Sequence, residues 1–567
     1  MGVGVEKGSS SRLLATRFSS PTWEIAIVGA ATLAGLFART FRLAAVPLSS
    51  QEIYTWDFSH QSIPFILGPL SHIETNPPLY YLLIKLVMGI GESELLLRLP
   101  SVIAGTLAIP LVYVLGRLGG AAKSGVIGAL LLSLSAIAIT YSREARTYVL
   151  LLDACLVAAI GAVIVLEQWR RRASRSTGRE WLGWALFTFA SIVGFYLHYT
   201  FIFDILVLEC AIAVTIGMTW LETRGQFDRA LIFRWMASCC VIALAMGWGL
   251  LLASQQSHSN NIAWMQVPSF TEARRLFVRV DGYSGLSKLQ PLPSLFLVGL
   301  AAIGLIAGWR RSSAVLVCGM LFALFPLVLF VVSQQRPMYI ERSFVSRSFA
   351  VCLLAGYGTL YLVDRVSPFV RQLLQRRRPA ISTAQLSLVV GAVALFILFV
   401  PALISGANAV RIASGPAIEP YDKVAAYLAS SMKPGDAAVG ADGVIYYRQR
   451  TRADFPYYKL AIGSTSEDLV TYGSTVARAN QVTSLARTDQ AIYLALRRTT
   501  GAVIGDRAYK SSANYVLETL NHRDPPVASF GNLDIYRLSG SCLASAPCLT
   551  LTPASSDKLV NGQNALE

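Results

Sequence analysis

Apolar runs of membrane-crossing length recur through the first 405 residues, and few folds can accommodate them. Runs at 23–45, 99–116, 124–140, 148–166, 181–199, 201–220, 231–252, 293–308, 313–332, 344–363 and 384–405 each approach the roughly 20 residues that a helix needs to cross about 30 Å of hydrocarbon. With 54% of residues hydrophobic and only 14% charged, a water-soluble globule of 567 residues is excluded. The expected fold class is an α-helical polytopic membrane protein with about eleven spans. A further apolar stretch, 77–91, is only about 15 residues long and is expected to lie in the interface without crossing.

The formal net charge of +16 would suit nucleic acid if it formed one patch, but the arginines fall in blocks between the apolar runs. Basic residues concentrate on cytoplasmic loops. If 77–91 does not cross, then Arg117/Lys123, Arg170–Arg172, Arg224/Arg229/Arg234, Arg310/Arg311 and Arg376–Arg378 all share the side of the N-terminus. Residues 1–21 then form a cytoplasmic tail without a cleavage signal, and the first span is an uncleaved anchor. The loop 47–98, Ser142–Arg146, His198-Tyr199, the loop 253–292 and Gln334–Ser343 fall together on the outer face.

The loop 47–98 is long and carries Glu52, Asp57 and Glu74, the turn Asn76-Pro77-Pro78, Tyr80-Tyr81 and Lys85. Two short surface helices are expected, one from near Ser49 and one after Pro77-Pro78, where Pro favours the first turn. Leu79, Leu82, Leu83 and Leu86 give the second an apolar stripe, and Lys85 can extend its ammonium to water. Glu52 has two readings. It can act as a catalytic carboxylate, or it can close a capping box with Ser49.

Arg146 and Asp153 are two helical turns apart on one face, and an Asp in an apolar segment either faces a partner or serves function. His198 and Tyr199 close the fifth span. Residues 270–280, with Arg274, Arg275 and Arg279, read as an amphipathic lid or surface helix. Arg347 requires an acceptor within the next span, either an anionic ligand or the carboxylate of Glu341 or Asp153.

After residue 407 the composition shifts, and an α/β domain is expected over 408–567. Its elements are a helix at Tyr421–Met432, extended stretches at Ala437–Val439 and Val444–Tyr447, and mixed segments at Ala491–Leu496, Tyr515–Leu520 and Ser529–Arg537; a disordered tail follows Thr552. Six cysteines lie in apolar runs, whereas Cys542 and Cys548 could pair in an oxidising compartment. No Cys/His zinc spacing, phosphate-binding Gly-rich loop, nucleophile elbow or nucleotide fingerprint is present. Scattered carboxylates permit a divalent metal without assembling one, and no cofactor is identified.

Several stretches together resemble the polytopic GT-C glycosyltransferases, in particular family 39, the bacterial branch related to protein O-mannosyltransferases, lipid A aminoarabinose transferase and rhizobial lipopolysaccharide sugar transferases. They are Gln51-Glu52, Pro77–Tyr81, Arg98–Ser101, Ser142–Tyr148 and Arg342, within a similarity covering roughly residues 20–365. The resemblance implies a bacterial inner-membrane enzyme that moves a sugar from a polyprenyl-phosphate donor to a glycan, lipid or protein acceptor on the outer face, usually with inversion. It implies Glu52 and Asp57 as catalytic carboxylates and Lys85, Arg146 and Arg342 as partners of the donor phosphate. Gln51, Glu74, Asn76, Tyr81, Asp153, His198 and Tyr199 are further site candidates.

The family pattern has Asp-Glu where this chain has Gln51-Glu52. Gln cannot accept a proton at neutral pH, so another carboxylate must serve or the chain is catalytically impaired. Two other functions share the features of an outer-face anion site: a flippase for polyprenyl-linked sugar and a degenerate, non-catalytic homologue. Transporters tend to show paired repeats and broken midplane helices, neither of which is evident in the sequence.

Overall fold

The computed structural model describes residues 22–68, 74, 76–170, 176–222, 229–256, 265–281, 292–375, 383–440, 443–450, 455, 457–461, 476–478, 491–497, 502–504, 507–509 and 525–538. Helices α1 (Thr22–Thr40), α5 (Glu94–Leu118), α8 (Tyr148–Arg170), α9 (Thr177–Leu197), α10 (Phe201–Glu222), α11 (Arg229–Gln256), α14 (Ser313–Ser333), α15 (Ser348–Gln375) and α16 (Thr383–Ala413) account for nine segments long and apolar enough to cross a membrane. The expected third span is broken. Helices α6 (Ala122–Ser133) and α7 (Ala136–Ser142) meet at 57°, because Ser135 turns extended and caps α7 through the Ala138 N–H. The expected eighth span, α13 (Leu292–Gly308), is 17 residues, about 25 Å at 1.5 Å per residue.

The most enclosed span is α8, with 78% of its apolar window buried. It packs against α9 and α5, where small residues let backbones approach, as TM interfaces require in the absence of a hydrophobic force between helices. The same device joins α13 to α15. A Cβ at Gly304 would lie 2.1 Å from the Leu354 carbonyl oxygen, and one at Gly358 would lie 2.0 Å from that of Leu300.

Between α1 and α5 lie three surface-scale helices: α2 (Ser50–His60), α3 (Ile63–Leu67) and α4 (Leu79–Met88). At 10 residues, α4 is too short to span, as expected of 77–91. Its buried face differs from the leucine stripe: Tyr80, Tyr81 and Ile84 are buried, while Leu86 is 74% exposed. The amphipathic helix α12 (Phe270–Asp281) is present, and a 3₁₀ segment at Glu341–Arg347 leads into α15.

Beyond Ala413, six residues past the expected boundary, α17 (Tyr421–Ser431) and α18 (Gly443–Arg450) pack with a sheet of order β3-β2-β1-β4-β8-β7. Its strands are β1 (Ala437–Gly440), β2 (Tyr457–Ala461), β3 (Val476–Arg478), β4 (Ile492–Arg497), β7 (Ala528–Phe530) and β8 (Leu533–Leu538). β1, β2, β3 and β4 run parallel, whereas β8 pairs antiparallel with β4 and β7. β5 (Ala502–Ile504) and β6 (Arg507–Tyr509) form a separate hairpin. The expected extended run Val444–Tyr447 is instead part of α18, since a short, fully buried apolar run carries no periodicity that separates strand from helix. Tyr515–Leu520, Cys542, Cys548 and the tail lie outside the described residues.

Candidate active site

The turn between α7 and α8, residues 143–147, is held from several sides. Glu52 closes both halves of the capping box: its Oε2 accepts from the Ser49 N–H (2.9 Å), and the Ser49 hydroxyl accepts from the Glu52 N–H. Its carboxylate also receives Arg98 Nε on Oε1 (2.7 Å) and Arg98 Nη2 on Oε2 (2.9 Å), and Oε1 takes the Ala145 N–H at 2.9 Å. Arg98 completes its five donors on the carbonyls of Leu43, Val46 and Pro47 at 2.8–3.0 Å. Both side chains are buried, at 2% and 3% exposure. Burial alone would raise the Glu52 pKa, but the Arg98 charge and hydrogen bonds, with the N–H groups of Ser49 and Ala145, outweigh it and hold the carboxyl below its ordinary value.

On the other side of the turn, Arg143 Nη1 donates to the carbonyls of Ala38 and Arg39 (both 3.1 Å), and its Nη2 to Ser414 Oγ (2.8 Å). Arg39, fully buried in α1, donates to Ser142 Oγ at 3.1 Å. The turn is therefore clamped at 142, 143 and 145, and the side chains it presents are Glu144 and Arg146.

Arg146 Nη1 donates to the Gln51 carbonyl and to Thr55 Oγ1, both at 3.2 Å, while its Nε has no hydrogen-bond partner among the described residues. Its guanidinium carbon lies 5.7 Å from the centre of the Tyr148 ring, and that of Arg342, which is 196 positions further along, lies 5.6 Å from the same ring. The two arginines expected at the donor phosphate thus converge on one tyrosine. Tyr141 packs edge-on against Tyr148 at 5.4 Å, and the His198 ring stands 5.9 Å away. The Thr200 N–H donates to His198 Nδ1 (3.2 Å), leaving the proton of the neutral ring on Nε2. Burial, then the charges of Arg342 and Arg146, lowers the His198 pKa to about 3.

Glu144 sits within this charge pattern. Burial, then the neighbouring Glu52 carboxylate, raises its pKa to about 7 against the pull of Arg146, Arg98 and Arg342. Within the motif Ser142–Tyr148, the sequence signal for Glu144 is a carboxylate two residues before Arg146 in a polar run between two spans.

The remaining candidates separate into a rim and a support. Glu74 Oε1 accepts from the Asn76 N–H (3.1 Å) and Asn76 Nδ2 (2.5 Å). Asn76 also bonds the buried Tyr81 hydroxyl, and the Glu74 charge acts on Arg146. Gln51 is exposed and meets Arg146 through its backbone carbonyl, while Asp57 is buried further along α2. Tyr199 packs on Phe195 at 5.5 Å.

Three further residues have partners of their own. Lys85, expected at a phosphate, donates to the carbonyls of Ser59 (3.2 Å), His60 (3.4 Å) and Gln61 (2.6 Å) and so caps the C-terminus of α2. Asp153 has Arg39 as its charged neighbour, away from the tyrosine cluster. Arg347 lies against the rings of Phe344, Phe325 and Phe277 at 4.6, 5.5 and 5.7 Å, with Asp204 as its nearby carboxylate. Among the described residues, no group of three or more His, Cys, Asp or Glu side chains could hold a metal ion.

The family model described as dolichyl-phosphate-mannose-protein mannosyltransferase matches residues 75–242. No curated protein matches the chain. Among solved structures, the chain is similar to ArnT from Cupriavidus metallidurans bound to undecaprenyl phosphate, at 13% identity and a TM-score of 0.56, covering 92% of this chain and 99% of that one. The apo state of the same protein gives 13% identity, a TM-score of 0.56, and coverage of 92% and 98%. The Archaeoglobus fulgidus oligosaccharyltransferase in the apo form is similar at 12% identity and a TM-score of 0.52, over 85% of this chain and 70% of that one. The family model over residues 75–242 and the likeness of fold to ArnT both support the resemblance to the GT-C glycosyltransferases.

Proposed function

We propose that the chain transfers a sugar from a polyprenyl-phosphate donor to an acceptor hydroxyl on the outer face of a bacterial inner membrane, with the N-terminus cytoplasmic and the region after residue 407 outside. The observation that carries this reading is the convergence of Arg146 and Arg342 on Tyr148, with Glu144 among them. Undecaprenyl phosphate in the similar ArnT structure supports the donor class. The acceptor oxygen attacks the anomeric carbon as its proton passes to a carboxylate. The bond from that carbon to the phosphate oxygen breaks, and the electron pair leaves with the polyprenyl phosphate, whose charge Arg146 and Arg342 stabilise. Attack opposite the leaving group inverts the anomeric centre.

We assign the proton acceptor to Glu144 and a positioning role to Glu52. A base works best with its pKa near the working pH, and Glu52 has both oxygens committed to Arg98 and backbone N–H groups. The reading also accounts for Gln51, since a base on the α7–α8 turn does not need a carboxylate at position 51. Purified protein offered polyprenyl-phosphate sugars and envelope acceptors should release polyprenyl phosphate. Glu144→Gln should lower turnover by about 10²–10⁴-fold at unchanged thermal stability. Full turnover in that variant removes Glu144 from the role, and the absence of transfer by wild type across donors refutes the class.

One observation favours the flippase reading: the 57° break between α6 and α7, a feature of transporter sites. Transbilayer movement of a labelled polyprenyl-phosphate sugar in proteoliposomes, without acceptor, separates the two. The transferase reading predicts none.

A further inference from the structure

Helix α12 packs along one end of α14. Gln334, at the end of α14, donates to the Pro268 carbonyl (3.1 Å). The Phe270 ring stands 6.3 Å from Phe330, and the Phe277 ring 5.6 Å from Phe322. As numbers rise along α12 they fall along α14, so α12 runs antiparallel beside one end of that span. From Gln334 to Phe322 the descent is about 18 Å at 1.5 Å per residue.

The buried face of α12 is apolar: Ala273 and Val280 are 5% and 8% exposed, and Leu276 and Phe277 pack on the same core. Val280 also walls a cleft with Leu131, Leu297 and Ala402. The opposite face exposes Arg274, Arg275 and Arg279. Arg279 pairs with Glu341 at 3.4 Å, and the only carboxylate in the first turn, Glu272, is taken by the Ser269 N–H (2.9 Å) and hydroxyl (2.7 Å). Arg274 and Arg275 have no hydrogen bond or ion pair to any described residue, although the charge of Arg275 acts on Glu272. They stand four and five residues beyond Phe270, about 6–8 Å below the level of Phe330. Guanidinium groups exposed beside one end of an apolar helix of membrane-crossing length are placed to meet lipid phosphates, toward which long basic side chains extend at span ends.

We propose that Arg274 and Arg275 form a docking surface for the headgroup of a negatively charged phospholipid in the leaflet that α12 enters. The Arg279–Glu341 pair places this lipid next to the segment that carries Arg342. The assignment rests on α12 alone and stands whether or not the chain transfers sugar.

The test uses the full chain in phosphatidylcholine nanodiscs doped with a photoactivatable phosphatidylglycerol or a phosphatidylcholine probe of the same tails. Adducts are counted on the peptide 265–281. Wild type should give roughly tenfold more adduct with the anionic probe, the scale expected of two basic residues near an anionic headgroup. Arg274→Gln with Arg275→Gln should bring the two probes level, and the paired Lys variants should keep most of the preference. Equal labelling by both probes in wild type, or an undiminished preference in the Gln variant, overturns the proposal. Competition by inorganic phosphate in the buffer would also overturn it, by showing a site for free anion. Should the Gln variant fail to fold, the wild-type comparison alone decides.

Discussion

Glu52 and Glu144 lie close enough to influence each other, yet their surroundings push them in opposite directions. This divergence is the pattern expected where one carboxylate holds structure and another moves protons. The Glu52–Arg98 pair is buried on both sides, so removing one partner strands the other charge at a cost of about 3–5 kcal/mol. Glu52→Ala should therefore lower the melting temperature and activity together, whereas Glu144→Gln lowers activity alone; differential scanning fluorimetry beside a transfer assay reads both. The pH signs also differ. The lowered Glu52 pKa contributes stability above the ordinary carboxylate value near 4.5, lost as pH falls through its folded value. The Glu144 pKa, raised to about 7, gives protonation that favours the folded state below pH 7 and fades as pH rises from about 4.5 to 7. Transfer should run the other way and increase with pH through about 7 as the base form appears; a kcat/KM profile flat from pH 5 to 8 would contradict Glu144 as the acceptor. The motif resemblance singles out Arg146 and Arg342, and the structure brings both against Tyr148. The sequence could not reveal Glu144, whose raised pKa is a product of burial by distant segments.

At the scale of elements, Ser49-x-x-Glu52 and Pro77-Pro78 correctly marked the starts of α2 and α4, since caps and proline act locally. What the sequence could not specify was which groups meet across them. Lys85 reads as a snorkelling cation because its stem lies on an apolar helix, but α4 packs beside α2 and presents the ammonium to three free carbonyls. Its replacement by Gln should cost about 0.3–1 kcal/mol, with up to about 2 for a partly buried cap, while leaving the KM for a polyprenyl-phosphate donor within twofold; a large rise in that KM would restore Lys85 to the phosphate. The break at Leu134-Ser135 was illegible for a similar reason. Ser135 is an ordinary small residue in an apolar run until α16 approaches, where a Cβ at Gly406 would lie 2.7 Å from the Leu134 carbonyl oxygen.

Across the whole molecule, the segment after α16 grips the helices that carry the candidate site. The Leu48 N–H donates to Tyr447 Oη (2.7 Å), Tyr446 Oη donates to the Glu92 carbonyl (2.6 Å), and Arg450 Nη1 pairs with Glu94 at 3.0 Å. Glu419 accepts the Ser50 N–H at 3.1 Å and pairs with Arg497. These contacts fall at the start of α2 and the start of α5, the two points that Glu52 and Arg98 join. The sheet region therefore acts on the 143–147 turn through the buried pair, although none of its described residues contributes a side chain to the tyrosine cluster. Tyr446→Phe with Tyr447→Phe removes the hydrogen bonds to the Leu48 N–H and the Glu92 carbonyl, and that from Arg450 Nη1 to Tyr446 Oη, without leaving a large cavity, at about 0.5–1.5 kcal/mol each. Amide exchange in residues 47–60 should accelerate in that variant while exchange in α8 stays as in wild type. If the sheet region only bound acceptor, exchange at 47–60 would be unaffected and the KM for the acceptor alone would rise. If it braces the site, kcat falls with it, because a displaced turn moves Glu144 and Arg146 together.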